Sequence, residues 1–208
     1  MLSKRDCEKT RSELLAAASQ EIHVNGFQAA SLSQILANCK VTKGALYHHF
    51  PNKKALGLAV IDEIIGLEMD AMWIKPLEMS VDPIEGLIGL MKKIQEEVDD
   101  VFIILGCPMN NLAQEMSPID EDFRTSINVI YKRWHDAWVK LFLRGQENGT
   151  VRQDIDIEYT VTFIIASLEG CIGMAKNAQS ISVLEKCSAG LLQYLESLKG
   201  SSEAPVSA

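Results

Sequence analysis

The segment KVTKGALYHHFPNKKAL, Lys40–Leu56, decides the fold class of this 208-residue chain. Thr42 precedes a short run with apolar residues at helical spacing, and its hydroxyl can cap a helix over KGALYHHF. Pro51 stops that helix, and Asn52 can cap a longer one that reaches Met69 or beyond. The segment therefore predicts two helices separated by a short break, and it contains four lysines and no acidic residue.

The sequence before this segment predicts two more helices. In SLSQILANC, Ser31 and Gln34 have the spacing of a capping box, which indicates a helix of about two turns. The helix before that ends at Asn25-Gly26, which is a helix stop. Its apolar positions, which recur every three or four residues, are Leu14, Leu15, Ala18, Ile22 and Phe27.

A helix, a two-turn helix, a tight turn and another two-turn helix within about 45 residues form a helix-turn-helix arrangement. Helices this short are unstable alone, so they must share a core. We expect four apolar residues in that core, namely Ile35, Val41, Leu46 and Phe50.

Strand signals are nearly absent from the remainder of the chain, so we expect an all-α fold. Four polar residues placed before apolar runs mark further helix starts, namely Asp82, Ser117, Asp156 and Ser182. The helices expected from the breakers and the periodicity are 83–102, 107–116, 118–147, 157–177 and 182–199.

Charge is unevenly distributed along the chain. Residues 1–60 carry a formal charge of +4 and residues 61–208 carry −12, against a total of −8. This asymmetry favours a polyanionic partner for the first part, although a solvated basic face would give the same pattern. The sequence shows neither a signal peptide nor a run of about 18 uncharged apolar residues, so we expect a cytoplasmic protein without a membrane partner.

The five cysteines are odd in number, far apart and never in a C-x-x-C pair. This usage argues against a disulfide framework and against a zinc site, and it favours small buried hydrophobic residues. The adjacent His48 and His49 would point about 100° apart on a helix with no third ligand nearby, so we expect no metal site and no cofactor.

Gly26-Phe27, SLSQIL and VTKGALYHHFPNKKAL together resemble the N-terminal domain of the TetR family of bacterial transcriptional regulators over about residues 9–58. The resemblance implies a homodimeric, all-helical repressor that a small molecule releases from double-stranded operator DNA. It also implies a helix-turn-helix domain over 1–55 and a ligand-binding and dimerisation domain over 56–199. The tail over 200–208 is small and polar, so we expect it to be disordered.

The second short helix of a helix-turn-helix enters the major groove while its flanks contact phosphates. Thr42 and the adjoining N–H groups can bind a phosphate at the helix N-terminus, and Lys43 adds charge beside them. Gly44 and Ala45 are small enough to approach base edges, and Ala45 can contact a thymine methyl group. The other predicted DNA-binding residues, all long side chains, are Lys40, Tyr47, His48 and Lys53.

Tyr47 also has a packing interpretation, and Thr42 can serve as a cap alone. Lys53 is assigned because it resembles the lysine with which the family contacts a phosphate. Lys40 departs from the family pattern, which commonly has glycine in this turn. If Lys40 is left-handed, its conformation costs about 1 to 2 kcal/mol, and a phosphate contact would offset part of that cost.

Methionines and aromatic residues from segments that the family packs around its pocket indicate an apolar or aromatic effector. Asn110, Asn111 and His135 are polar candidates to orient it, although the apolar stripe of 118–147 would equally suit a plain core. The predicted apolar and thiol residues of the site are Met69, Met72, Trp73, Met91, Phe102, Cys107, Tyr131, Trp134 and Trp138.

Cys107 follows Gly106 at a predicted helix start, where a lowered thiol pKa would make it reactive. The alternative to ligand release is therefore a thiol-sensing or electrophile-sensing repressor, and the opposing interpretation is an inert buried cysteine. No enzyme motif is present, so we expect no catalytic residues.

The last two helices are predicted to pair with those of a second subunit in a four-helix bundle, although the same apolar surface could be covered within one monomer. The residues assigned to this face are small residues of the first helix and leucines of the second: Ala166, Gly170, Gly173, Leu184, Leu191, Leu192, Leu195 and Leu198.

Overall fold

A computed structural model describes residues 4–200, and over that range the protein is all-α with no strand, as predicted. One isolated antiparallel bridge pairs Val151 with Lys199. The helices are α1 (Lys4–Asn25), α2 (Leu32–Cys39), α3 (Lys43–His49), α4 (Lys53–Val60), α5 (Gly66–Met69), α6 (Pro83–Glu97), α7 (Asp100–Leu105), α8 (Pro108–Met116), α9 (Glu121–Glu147), α10 (Ile157–Ala178) and α11 (Ile181–Ser197).

The helical path continues beyond α4 through wider turns. A π-helix over Ile61–Ile65 joins α4 to α5, and a second π-helix over Asp70–Ile74 follows α5. A 3₁₀ turn over Lys75–Leu77 ends the path. The prediction of a helix running past Met69 is therefore confirmed, with i→i+5 segments that its apolar spacing did not indicate.

The predicted N-caps of the short helices are confirmed. Ser31 Oγ accepts from the Gln34 backbone N–H at 3.4 Å, and Thr42 Oγ1 accepts from the Ala45 backbone N–H at 3.2 Å. Asn52 Oδ1 accepts from the backbone N–H at position 55 at 2.8 Å. These bonds satisfy N–H groups that a helix start otherwise leaves unpaired.

Three later helix boundaries differ from the prediction. The expected helix 83–102 breaks at Val98 because Asp99 caps a new helix, α7, by accepting from Phe102 N–H at 2.8 Å. The start predicted at 118 moves to α9, where Asp120 rather than Ser117 receives the N–H groups. In both cases an aspartate accepts the backbone N–H groups at the helix start and so determines where the helix begins.

The third difference lies at α11. This helix begins at Ile181, after Ser180, rather than at the predicted Ser182, and the Ser180 side chain makes no capping bond. Gly200, with which the predicted tail begins, donates its backbone N–H to Thr150 O at 2.8 Å. Residues 201–208 lie outside the part of the chain that the structure describes, so the tail stays a prediction.

The chain divides into two compact units. One comprises the chain up to Met69 together with Pro108–Tyr131, and the other comprises Asp70–Cys107 and the chain from Lys132 onward. These units are defined by compactness, whereas the predicted boundary after residue 55 separates a DNA-binding from a ligand-binding domain. That boundary therefore stays a prediction.

The first unit has its core between α1 and the short helices. Ile35, Leu46 and Phe50 are buried as expected, whereas Val41 is only half-buried. Val41 lies in the turn before α3 and is not among the buried residues, so the prediction that it is a core residue is wrong. The further buried residues of this core are Leu14, Leu15, Ala18, Ile22, Leu56 and Val60.

Glu115 of α8 belongs to the same unit and holds the turn that follows α1. Its carboxylate accepts the backbone N–H groups of Phe27 and Gln28, both at 2.8 Å. Gly26 has φ +77°, and a Cβ there would lie 2.9 Å from a Glu115 oxygen. This glycine is therefore required both by the backbone conformation and by the approach of the carboxylate.

The second unit contains a cluster of three tryptophans. Trp73 stacks on Trp134 with ring centroids 5.4 Å apart, and Trp138 meets Trp134 edge-on at 5.2 Å. Trp138 Nε1 donates to the Trp73 backbone oxygen at 2.8 Å. These rings bury a large apolar area and hold the π-helix Asp70–Ile74 against α9 within this unit.

Helices α10 and α11 form an antiparallel hairpin closed by a disulfide between Cys171 and Cys187. The expectation that the cysteines form no disulfide is wrong for this pair. The two cysteines lie on opposite sides of the turn at Gln179 and Ser180, so a separation of 16 residues along the chain becomes a Cα–Cα distance of 5.5 Å.

Within residues 4–200, α10 is long and apolar enough to cross a membrane by length and composition. This test tolerates charged residues such as Glu169, so it does not contradict the absence of a run of about 18 uncharged apolar residues. Part of this helix is buried, and the core helix of a soluble protein passes the same test.

Candidate nucleic-acid interface and ligand cavity

The turn between α2 and α3 is made by a lysine in a left-handed conformation. Lys40 has φ +55° and ψ +28° and its side chain is exposed. A non-glycine residue costs about 1 to 2 kcal/mol in this region. The backbone geometry of the turn thus matches the one for which the family pattern has glycine.

The start of α3 presents small and charged groups to solvent. Thr42 and Lys43 are exposed, and Gly44 has no atom within 4 Å of the position that a Cβ would take. Ala45 is half-buried and donates its N–H to the Thr42 cap. The first turn of α3 is therefore an open surface that a flat or grooved partner can approach closely.

The aromatic residues of α3 have different surroundings. Tyr47 is 44% exposed, and Lys43 Nζ lies 5.9 Å from its ring centroid. His48 is exposed, whereas His49 is half-buried with its Nε2 3.8 Å from Cys7 Sγ. Burial lowers the pKa of His49, and the nearby His48 lowers it further.

Lys53 and Lys54 make contacts inside the first unit. Lys53 Nζ donates to Gln28 O at 3.0 Å and lies 4.8 Å from the ring centroid of Phe27. Lys54 Nζ lies 2.7 Å from Asp122 and 2.9 Å from Asp120, and the hydrogen bonds that it donates to these two carboxylates raise its pKa. Of the four lysines in Lys40–Leu56, Lys40 and Lys43 thus carry the most exposed charge.

A cavity of about 40 Å³ lies within the second unit. Three of the predicted ligand residues line it, namely Trp73, Met91 and Phe102. The other lining residues were not assigned to the ligand site from the sequence. They come from α6, α10, α11 and the break before α7: Ile94, Gln95, Val98, Leu168, Cys171, Ile172, Leu184, Ser188 and Leu191. Gln95 and Ser188 are the neutral polar side chains of a lining that is otherwise apolar or sulfur-bearing.

Other predicted ligand residues of this unit lie away from that lining. Met72 is 40% exposed, and the His135 ring lies 3.1 Å from Thr162 Oγ1. Trp134 and Trp138 are buried against Trp73 instead of facing the cavity. Four further predicted residues belong to the first unit, and their role stays a prediction: Met69, Asn110, Asn111 and Tyr131.

Cys107 is buried and its Sγ donates to Glu169 Oε1 at 3.3 Å. Burial raises the pKa of Glu169 from its ordinary 4.5 to about 7, which the bond from Cys107 partly opposes. Glu169 Oε2 and Trp134 Nε1 are buried polar atoms without a hydrogen-bond partner among the side chains described. Sequence reasoning missed Glu169 because a single acid within an apolar helix normally lies on its exposed face.

The leucines assigned to a dimer face are mostly buried within the chain. Leu184, Leu191, Leu195 and Leu198 are each at most 7% exposed, which corrects their assignment. They fill the interior of the second unit because they follow the inward stripe of α11.

The exposed side of the hairpin is formed by other residues. Tyr159, Phe163 and Met174 are more than half exposed, and Gly170 and Gly173 have open space where a Cβ would lie. A groove of about 360 Å³ runs along this side. Its lining combines small, aromatic and sulfur-containing residues: Phe163, Ser167, Gly170, Cys171, Met174, Cys187, Gly190, Leu191 and Tyr194.

Over the described chain, no group of three or more His, Cys, Asp or Glu side chains could hold a metal ion.

Two protein-family models match this sequence. A family model described as "Bacterial regulatory proteins, tetR family" matches residues 14–60, and one described as "Tetracyclin repressor-like, C-terminal domain" matches residues 83–191. The chain belongs to the TetR family. Its members are DNA-binding transcriptional regulators and not enzymes.

Curated relatives support the same family across most of the chain. The HTH-type transcriptional repressor DhaR of Mycobacterium sp. (strain GP1) is 29% identical over 162 residues, which cover 78% of this chain and 80% of that protein. The HTH-type transcriptional regulator LmrA of Bacillus subtilis (strain 168) is 26% identical over 189 residues, covering 88% and 97%.

Solved structures share the fold. A TetR transcriptional regulator from Chloroflexus aurantiacus J-10-fl has a TM-score of 0.82 at 24% identity, covering 95% of this chain and 100% of that one. A TetR-family regulator from Cytophaga hutchinsonii has a TM-score of 0.84 at 21% identity, covering 96% and 98%. The protein is thus a TetR-family transcriptional regulator with an N-terminal helix-turn-helix and a C-terminal helical domain.

Proposed function

We propose that this protein is a cytoplasmic repressor that binds a pseudo-palindromic operator as a homodimer and leaves it when a small apolar molecule binds. The observation that carries the proposal is the exposed start of α3, where Thr42 caps the helix and Lys43 and Gly44 face solvent. An open helix N-terminus with a lysine beside it is suited to a phosphate and the adjoining groove.

In this proposal the residues of the exposed surface make two kinds of contact with DNA. Lys40, Thr42 and Lys43 contact phosphates, while Gly44 and Ala45 approach base edges. Tyr47 and His48 extend the phosphate contacts along α3, since both side chains are exposed. Lys53 contributes by holding the Gln28 carbonyl, and it must release or share that bond to reach a phosphate.

The homodimer forms through the exposed side of the α10–α11 hairpin. Gly170 and Gly173 allow close approach of a partner helix, and Phe163 and Met174 provide apolar area. Two such hairpins form a four-helix bundle. TetR regulators dimerise, which supports this pairing. The two α3 helices would then meet DNA about one helical turn, or a multiple of one, apart.

The effector binds in the cavity lined by Trp73, Met91 and Phe102. Its walls are almost entirely apolar, and Gln95 and Ser188 offer hydrogen bonds to orient a neutral ligand. No charged side chain lines this cavity, so the effector is an uncharged apolar or aromatic compound. Repression is supported by the relative named as a transcriptional repressor.

Thiol sensing through Cys107 has less support, because the thiol is buried and bonded to a carboxyl group. Mass spectrometry after mild treatment with an electrophile tests it. Preferential adduct formation at Cys107 would favour this alternative over ligand release.

A gel-shift assay with the DNA that flanks the protein's own gene tests the proposed function. We expect retardation at low salt that weakens as salt rises, because phosphate contacts release counterions. Absence of any retardation at low salt would contradict the proposal. Sedimentation of the complex provides the stoichiometry, for which we expect two chains per site.

A further inference from the structure

Two buried polar atoms of the second unit have no hydrogen-bond partner among residues 4–200. They are Glu169 Oε2 of α10 and Trp134 Nε1 of α9. Glu169 is 7% exposed and Trp134 is 1% exposed, so solvent does not supply the missing bonds. A buried polar group without a partner costs free energy, and native proteins retain few of them. A ligand that brings a polar group to either atom would recover that free energy.

Both residues adjoin side chains of the cavity wall. Trp134 stacks on Trp73, which lines the cavity, with ring centroids 5.4 Å apart. Glu169 precedes Ile172 by three residues on α10, so the two side chains lie on one side of the helix. Ile172 also lines the cavity. Each unpartnered atom therefore belongs to a residue beside the space assigned to the effector.

The corner that follows α7 supports this placement of Glu169. The Cys107 thiol donates to Glu169 Oε1 at 3.3 Å, and a Cβ on Gly106 would lie 3.6 Å from Ile172 Cγ2. Glu169 and Ile172 therefore face the same corner of the second unit. Because Cys107 bonds to Oε1, Oε2 is the carboxyl oxygen that remains for a ligand.

The surroundings of Glu169 favour an uncharged ligand group. Burial raises the pKa of Glu169 to about 7, so near neutral pH its carboxyl group is uncharged in much of the protein. No charged side chain lines the neighbouring cavity to pair with an ionic ligand. A hydroxyl group suits both states of the carboxyl group, because it can donate to a carboxylate and can accept the proton of a carboxylic acid.

We propose that the effector is an uncharged apolar or aromatic compound with a hydroxyl group, and that this hydroxyl binds Glu169 Oε2. The inference rests on the proposed function, because it takes this cavity as the effector site. The cavity has a volume of about 40 Å³, so an aromatic ring enters only when lining side chains move apart. Movement of Ile172 opens the way to Glu169. The new bond then offsets the lost hydration of the hydroxyl group.

The test compares three compounds with one ring that differ in a single substituent. Full-length protein holding the fluorophore N-phenyl-1-naphthylamine is titrated with para-ethylphenol, para-ethyltoluene and the para-ethylbenzylammonium ion, and displacement of the fluorophore gives each affinity. A wholly apolar site prefers para-ethyltoluene, because the phenol loses its hydrogen bonds to water there. We expect the wild type to bind para-ethylphenol at least as tightly as para-ethyltoluene.

Variants show whether Glu169 causes this preference. Glu169→Met keeps a similar shape without a carboxyl oxygen, so para-ethylphenol should lose about five- to ten-fold in affinity relative to para-ethyltoluene, as expected for one hydrogen bond. Glu169→Gln keeps an acceptor and a donor, so it should retain the wild-type ratio. Glu185→Met, which replaces an exposed acid of α11, is the matched control and should retain it as well.

Three results would each overturn the hydroxyl site: an unchanged ratio in Glu169→Met, tighter binding of para-ethyltoluene than of para-ethylphenol by the wild type, or tightest binding of the ammonium ion. Circular dichroism checks the fold of each variant, and the order of the compounds with the wild type decides should Glu169→Met not fold.

The same titrations keep the two proposals distinguishable. Binding of the fluorophore with the wrong order of compounds overturns the hydroxyl site and leaves the effector cavity standing. If neither the fluorophore nor any of the three compounds binds, the proposed effector cavity is contradicted, and the hydroxyl site with it. Gel shifts decide the DNA-binding part of the proposed function independently.

Discussion

The α2–α3 pair and the α10–α11 hairpin are two versions of one arrangement, in which two helices are joined by a short turn. In each, the first helix ends on a left-handed residue other than glycine, Lys40 with φ +55° and Gln179 with φ +47°. The first pair has helices of 8 and 7 residues with an exposed basic surface, and the second has helices of 22 and 17 residues with a buried stripe.

The difference shows which features are determined locally. Ser31 and Thr42 both make the capping bonds expected of them, whereas Ser180 at the start of α11 makes none. Short helices depend on their caps, so their ends can be read from neighbouring residues. Long helices are also positioned by packing over their whole length, so α11 begins without a side-chain cap, while α10 begins at the predicted cap Asp156.

The largest expected effect comes from removing a core leucine in each region. Leu46→Ala and Leu195→Ala each create a cavity at a fully buried site, so each should lower the free energy of unfolding by about 2 to 5 kcal/mol. Urea denaturation followed by circular dichroism measures the loss. Leu67→Ala is the control, because Leu67 is 58% exposed, and an equal loss there would contradict the assignment of the two cores.

A pH-dependent effect on stability is expected in the second region. The pKa of Glu169 is raised to about 7, so the folded state holds a proton that the unfolded state releases above its ordinary pKa of 4.5. Its contribution to stability is complete below pH 4.5 and declines as pH rises to about 7. From pH 5.5 to pH 8 the wild type should lose about 2 kcal/mol that Glu169→Gln does not lose.

Urea denaturation at both pH values measures this difference. Glu185→Gln, which changes an exposed acid of α11, is the matched control and should keep the wild-type dependence. A wild-type pH dependence that survives unchanged in Glu169→Gln would show that other groups cause it.

A smaller loss of stability is expected when one helix N-cap is removed from each region. Thr42 Oγ1 caps α3, and Asp156 Oδ1 caps α10 by accepting the Tyr159 N–H at 3.0 Å. Replacement of either residue by alanine should cost about 1 kcal/mol and lower Tm by about 2 to 4 °C. Only Thr42→Ala should also weaken DNA binding in a gel shift. If both variants lowered the DNA affinity equally, the claim that the start of α3 contacts DNA would be contradicted. Thr42→Ser should restore both properties.

The smallest expected effect concerns the two left-handed residues. Lys40→Gly and Gln179→Gly should each relieve about 1 kcal/mol of backbone strain, partly offset by the greater entropy of the unfolded chain. Thermal melting should therefore show equal or higher Tm for both variants. Lys40→Gly should also bind DNA more weakly, and unchanged affinity would remove the proposed phosphate contact of Lys40.

The all-α class, the family and the helix-turn-helix could be predicted from the sequence because caps, breakers and a specific motif lie within about fifty residues. The exposed residues Thr42, Lys43 and Gly44 were identified for the same reason. The disulfide and Glu169 could not be predicted, since each depends on which residues of α10 meet α11 or Cys107. The cavity proposed for the effector can be predicted only in part, because apolar stripes predict burial but not where the packing leaves space.

The measurement that tests the account most directly is the salt dependence of DNA affinity for Lys43→Gln, by fluorescence anisotropy with the fragment that shifts in a gel. Each lost phosphate contact should reduce the slope of log K against log salt concentration by about 0.9, with Lys92→Gln, an exposed lysine of α6, unchanged. A dimer with one such contact per subunit should lose about twice that amount. Identical slopes for the wild type and both variants would contradict the claim that the α3 start contacts the DNA backbone.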